Sequence, residues 1–110
     1  MHNGITKGQM NAAEQLVARI LNAGYRISVH DGEAWSIKRS DNYSAILDAM
    51  GETDADTLRL TKIGNVVGEG NIVLVWGNED DGSDLISDYG PADGPIDELI
   101  RAHWKARGDL

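Results

Sequence analysis

On either side of an Asp31-Gly32 pair, apolar and polar residues alternate: Tyr25, Ile27 and Val29 before it, Ala34, Trp35, Ser36 and Ile37 after it. A period of two places successive side chains on opposite faces of an extended strand, and Asp-Gly supplies the positive φ that a tight reversal requires. Residues 25–39 therefore read as a β-hairpin, with Trp35 and Ile37 expected to point inward together. On that expectation, truncating Trp35 would cost about 3 to 5 kcal/mol. Hairpin-linked strands run antiparallel, and nothing downstream offers the long crossover that a parallel sheet needs.

Helices and further strands fit around this hairpin. Thr6 and Gln9 match a capping box, and Ala12, Ala13, Leu16, Val17, Ile20 and Leu21 recur at helical spacing up to Asn22-Ala23-Gly24, which predicts a helix over 7–22. Ser40 or Asp41 is expected to cap a second short helix with an Ala45, Ile46, Ala49, Met50 stripe, ended by Gly51 in the C′ position. Residues 52–56 read as a polar connector, and Leu58 and Leu60, extended to Ile63, as a third strand. The nearly unbroken apolar run at 71–76 suggests a central strand covered on both faces, approached through turn or bulge glycines at Gly68 and Gly70. Residues 85–89 form a last short strand. Pro95 then suits the first turn of a final helix, with Asp97 and Glu98 at its start, an apolar stripe of Ile96, Leu99, Ile100, His103 and Trp104, and Lys105 and Arg107 at its end. The expected fold class is α+β: a single domain over 1–110, an antiparallel sheet of about five strands with three helices, in the order α-β-β-α-β-β-β-α.

Composition narrows the class further. A chain of 110 residues that is 41% hydrophobic has material for one core and no second domain. It contains no cysteine, so disulfides and thiolate metal sites are excluded and a cytoplasmic location is expected. Residues 1–8 lack the apolar segment of a signal peptide, and no apolar run approaches the ~20 residues that cross a bilayer.

Charge is more informative when it is followed along the chain. Acids number 18 and bases 10, yet the stretch 78–98 holds eight acids and no base, so the whole net charge of −8 resides there and the remainder is neutral. Such a surface repels nucleic acid and anionic membrane, and no direct contact with either is expected.

Little else carries chemistry. His2, His30 and His103 have no metal-ligand spacing. The glycine-rich stretch 64–70 lacks the lysine and hydroxyl of a phosphate loop and precedes a strand rather than a helix. If Gly82 is aligned with the invariant glycine of a calcium loop, Gly77 and Asp88 fall where an aspartate and a bidentate glutamate belong. No enzyme, metal or cofactor is expected.

The stretches 27–40, 46–54 and 85–89 resemble short uncharacterised proteins encoded by bacteriophages and prophages, a likeness that covers roughly residues 25–89. That resemblance implies a phage origin, with work done inside a bacterial host, and transfers no activity onto single residues. In size, acidity and apparent origin the chain is also similar to anti-CRISPR proteins. The expected function is accordingly that of a non-enzymatic inhibitor that binds a basic, nucleic-acid-handling surface of a host protein through Glu79, Asp80, Asp81, Asp84, Asp88 and Asp93. Tyr89 and Trp76 are its candidate apolar anchors. The alternative is a structural or assembly component of a phage acting as a homo-oligomer, in which 85–89 pairs with its own copy across a twofold axis.

Overall fold

The computed structural model describes residues 5–64, 68–77 and 80–109. Its elements are α1 (Lys7–Asn22), β1 (Tyr25–His30), β2 (Trp35–Ser40), α2 (Tyr43–Ala49), β3 (Ala55–Lys62), β4 (Gly68–Val75), β5 (Ile86–Gly90) and α3 (Pro95–Arg107), the expected α-β-β-α-β-β-β-α order. All five strands join one sheet in the order β2-β1-β3-β4-β5, and every pair is antiparallel.

The helix ends follow from local chemistry. Thr6 Oγ1 accepts from Gln9 N–H at 3.1 Å and Thr6 N–H donates to Gln9 Oε1 at 3.2 Å, so the capping box closes in both directions. The cap of α2 is Asn42, whose Oδ1 accepts from Ala45 N–H at 3.0 Å. Ser40 does not serve as that cap because it is still the last residue of β2, and its Oγ accepts from Asn42 N–H instead. α3 begins at Pro95 and ends at Gly108, which takes the left-handed conformation that closes a helix.

The helices cover one face of the sheet. Ile27 and Val29 of β1, Leu58 and Leu60 of β3, and Ile72 and Leu74 of β4 turn toward it and form the core with Leu16, Val17 and Ile20 of α1, Ile46 of α2 and Ile96 and Ile100 of α3. The alternate residues Arg26, Ser28, His30, Thr57, Arg59, Thr61, Asn71 and Val73 lie on the other face, on which no described helix packs. β4 is thus central but not covered on both faces. Ile72 and Leu74 are buried, whereas Val73 and Val75 are only half-buried and Asn71 is exposed.

Two further expectations change. The stretch 52–56 is not wholly a connector, since β3 begins at Ala55 and Asp56 is 1% exposed on the helix-side face. Its Oδ2 accepts from Gly51 N–H at 2.7 Å and from Trp76 Nε1–H at 2.8 Å, which compensates its burial. Ile63 falls after β3, in a turn, and is 60% exposed. Gly68 and Gly70 lie within β4, where the pairs Leu60 with Gly70 and Thr61 with Gly68 leave Glu69 as a bulge.

Candidate binding surfaces

Of the acids in the 78–98 stretch, Asp80, Asp81, Asp84, Asp88 and Asp93 are placed along the outer rim of the sheet rather than in one cluster, and Asp97 and Glu98 open α3. Glu79 lies outside the described residues. Asp80 and Asp81 belong to a loop docked on α1 and α3: Thr6 Oγ1 donates to the Asp80 carbonyl, and Arg107 Nη2 donates to the Asp81 carbonyl at 2.7 Å. Gly8 of α1 and Gly82 of the loop permit that close approach, because a methyl group at Gly8 would run into the Asp80 carbonyl and one at Gly82 would lie 2.7 Å from Ala12 Cβ. Asp81 also accepts from Ser83 N–H at 2.9 Å, and this backbone bond holds its carboxyl below the usual aspartate range. Both side chains remain exposed, as does that of Asp84.

β5 continues the rim. Asp88 pairs with Val73 on the uncovered face, while Tyr89 pairs with Ile72 on the helix side. Asp93 is exposed in the loop that leads to α3, at the far end of β5 from Asp84. Five residues at ~3.4 Å each separate these two ends by about 17 Å, so the acids form a strip.

The proposed anchors are engaged elsewhere. Tyr89 is half-buried, its hydroxyl donates to Asp97 Oδ1, and its ring centre lies 6.1 Å from that of Trp104. The shared hydrogen bond pushes the Tyr89 phenol up and the Asp97 carboxyl down. Trp76 is a core residue held by Asp56 and only 8% exposed. Ile86 and Tyr89 pack against the helix-side core.

Trp35 corrects the sequence reading most directly, because it is 37% exposed and lies on the uncovered face. The cause is a β-bulge. Val29 pairs with Ile37 but His30 pairs with Trp35, so Ser36 is an extra residue and the two apolar side chains part to opposite faces. A second irregularity follows, since Ile27 pairs with Ser40 and one residue too many lies between Ile37 and Ser40. Arg39 absorbs it at φ 45°, and its N–H donates to Ser28 Oγ at 2.8 Å.

These bulges shape a second surface that the sequence analysis did not anticipate. Arg26, Lys38, Arg39 and Arg59 come from three strands and converge on the uncovered side of β1, β2 and β3. The Arg59 guanidinium lies 5.6 Å from the centre of the Trp35 ring, and the His30 ring meets Trp35 edge-on at 4.9 Å. At ~4.8 Å per strand spacing, the basic flank lies between about 10 Å (β3) and about 19 Å (β2) from β5 and the acidic rim.

Among the described residues, no three His, Cys, Asp or Glu side chains are grouped as metal ligands, and no helix is long and apolar enough to cross a membrane. The architecture defines an α+β domain with helices on one face of an antiparallel sheet and a charged, uncovered face opposite. Comparison with known proteins found no matching family model, no matching curated protein and no matching solved structure.

Proposed function

We propose that this chain is a non-catalytic binding protein whose acidic rim occupies a basic, nucleic-acid-binding surface of a bacterial host protein, as an anti-CRISPR-type inhibitor does. The observation that carries this reading is the segregation of charge across the sheet. Asp80, Asp81, Asp84, Asp88 and Asp93 are exposed along the β5 side, while the cations of β2, β1 and β3 lie four, three and two strand spacings away, about 19, 14 and 10 Å, against a Debye length of ~10 Å at 0.1 M salt. The cations of the sheet therefore do little to neutralise the rim, and Arg107 of α3, which donates to the Asp81 carbonyl, offsets charge at the Asp81 end alone. Docking of the 80–84 loop on α1 and α3 also fixes part of the rim before a partner arrives, which lowers the ordering cost of association.

The test is charge reversal. Lysine at Asp80, Asp81, Asp84 and Asp88 is expected to abolish capture of the host protein from lysate, and lysine at Glu14, Asp41 and Asp48 to leave it largely intact. Capture by the unaltered chain should fall as salt rises, and the captured protein should lose its nucleic acid when bound. A partner held equally by both variant sets and indifferent to salt would refute the reading.

A homo-oligomer remains the second reading because β5 has one ladder neighbour, β4, and its other edge is free for pairing among the described residues. Such pairing would join backbones, since Ile86 and Tyr89 already pack on the core side. Sedimentation over a range of concentrations separates the two readings: a monomer that binds its partner favours the first, and self-association without a partner the second.

A further inference from the structure

The uncovered face carries a recess of about 120 Å³ lined by Ser28, Trp35, Lys38, Arg39, Arg59 and Thr61. Three of the six are cations and none is an acid. Lys38 and Arg39 are neighbours in sequence and yet line the same recess, which a regular strand forbids because adjacent side chains point to opposite faces. The bulge in β2 permits it. It holds Arg39 in the left-handed region that residues with a Cβ avoid, and among the described residues no other non-glycine has a positive φ. A backbone held in that region is maintained by its surroundings, here by the bond from Arg39 N–H to Ser28 Oγ.

The cations around the recess have no acidic partner among the described residues. Among the described residues, no ion pair or side-chain hydrogen bond ties Lys38, Arg39 or Arg59 to an acid. Ser28 Oγ, having accepted from Arg39, keeps its own hydrogen to donate. Guanidinium groups grip a tetrahedral oxyanion by paired N–H donors, and an ammonium adds a point charge. Trp35 lines the recess and is partly exposed; with Arg59 over its ring at 5.6 Å, its remaining ring surface is available for a heteroaromatic base to stack on.

We propose that this recess binds a mononucleotide-sized ligand, with its phosphate among Lys38, Arg39 and Arg59 and its base on Trp35. The acidic rim sets the size. A nucleic-acid strand crossing the sheet toward β5 would meet Asp88 on the same face and the remaining acids beyond it, whereas a single nucleotide stays on the β1, β2, β3 side. The proposal does not depend on the acidic rim being a contact surface.

Titrating the ¹⁵N-labelled chain with inorganic phosphate, adenosine 5′-monophosphate and a single strand of about ten nucleotides tests it. The mononucleotide should shift the Trp35 indole resonance and the Arg39 and Arg59 Nε resonances with a Kd in the millimolar range or below, and phosphate should shift the arginine signals alone. Arg39→Gly keeps the left-handed backbone while removing the guanidinium, so it should leave the Tm unchanged and weaken mononucleotide binding about ten-fold. Trp35→Ala should remove the preference for the mononucleotide over phosphate. No response to either small anion at about 10 mM and low ionic strength would overturn the proposal, as would undiminished affinity in Arg39→Gly. A strand bound more than about ten-fold tighter than the mononucleotide would also overturn it, because the site would then belong to nucleic acid.

Discussion

Replacing Asp56 by alanine should destabilise the fold by about 2 to 5 kcal/mol. The carboxylate is 1% exposed and accepts two hydrogen bonds on one oxygen, from Gly51 N–H at 2.7 Å and Trp76 Nε1–H at 2.8 Å. Gly51 follows α2 and Trp76 follows β4, so one side chain ties the end of a helix to the end of a central strand. Each donor left buried without an acceptor costs about 1 to 3 kcal/mol, and removing a buried charge returns part of its desolvation penalty. The net falls within the stated range, a substantial fraction of the ~5 to 15 kcal/mol that stabilises a typical domain. Asp56→Asn keeps a carbonyl oxygen in place and should cost only about 1 kcal/mol, and Trp76→Phe, which removes one donor but keeps a large ring, about 1 to 2 kcal/mol. Urea unfolding followed by far-ultraviolet circular dichroism reads these differences without relying on tryptophan emission. A loss below about 1 kcal/mol for Asp56→Ala would refute the reasoning. So would strict additivity of Asp56→Ala and Trp76→Phe in a double-mutant cycle, since contacting partners should couple by about 0.5 kcal/mol or more.

His103 is 2% exposed, and burial, followed by the Arg107 and Arg19 guanidinium groups, lowers its pKa from 6.5 to about 4. The unfolded chain therefore takes up a proton that the folded chain refuses, so stability should fall by about 3 kcal/mol as pH drops from about 6.5 to about 4, with no further loss from this group below that. Denaturation across that window should show the slope in the unaltered chain and a shallower one in His103→Gln; an imidazole titrating near 6.5 by NMR would remove its basis. Gly8→Ala should lower stability by about 1 to 3 kcal/mol even though alanine favours a helix by about 1 kcal/mol, because its methyl group would meet the Asp80 carbonyl and lie 2.7 Å from Asp81 Cα. A raised Tm in that variant would show that the 80–84 loop does not rest on α1.

What could be read from the sequence was what short-range chemistry decides. The capping box at Thr6 and Gln9, the Pro95 start and the Gly51 stop each act within a few residues, and the bounds of α1 match the expectation over 7–22. The hairpin was also legible, although its turn spans 31–34, with Asp31 Oδ1 accepting from Glu33 and Ala34 N–H at 2.8 and 2.9 Å. Those two bonds hold the Asp31 carboxyl below its usual range. Trp35 failed for a different reason. Alternation predicts a face only while the register is regular, and one extra residue at Ser36 reverses it. Asp56 failed because a lone aspartate in a polar stretch carries no local sign of the two donors that wait for it 5 residues before and 20 after.

The basic flank was hidden by the same distinction between local and long-range order. Arg26, Arg39 and Arg59 are far apart in the chain, and each taken alone is the solvent-facing residue of an amphipathic strand. They become one surface only when the sheet places β1 between β2 and β3, an order that no segment of the sequence specifies. The acidic rim, by contrast, is contiguous in sequence and was visible as a run. A sum over the chain gives −8 and implies that anions are repelled everywhere. Once the two flanks are about 10 to 19 Å apart and the Debye length is ~10 Å, that sum governs neither. Each flank meets its partner through its own local field, so an acidic chain can bear an anion-binding recess, and the recess leaves the rim's attraction for a basic surface intact.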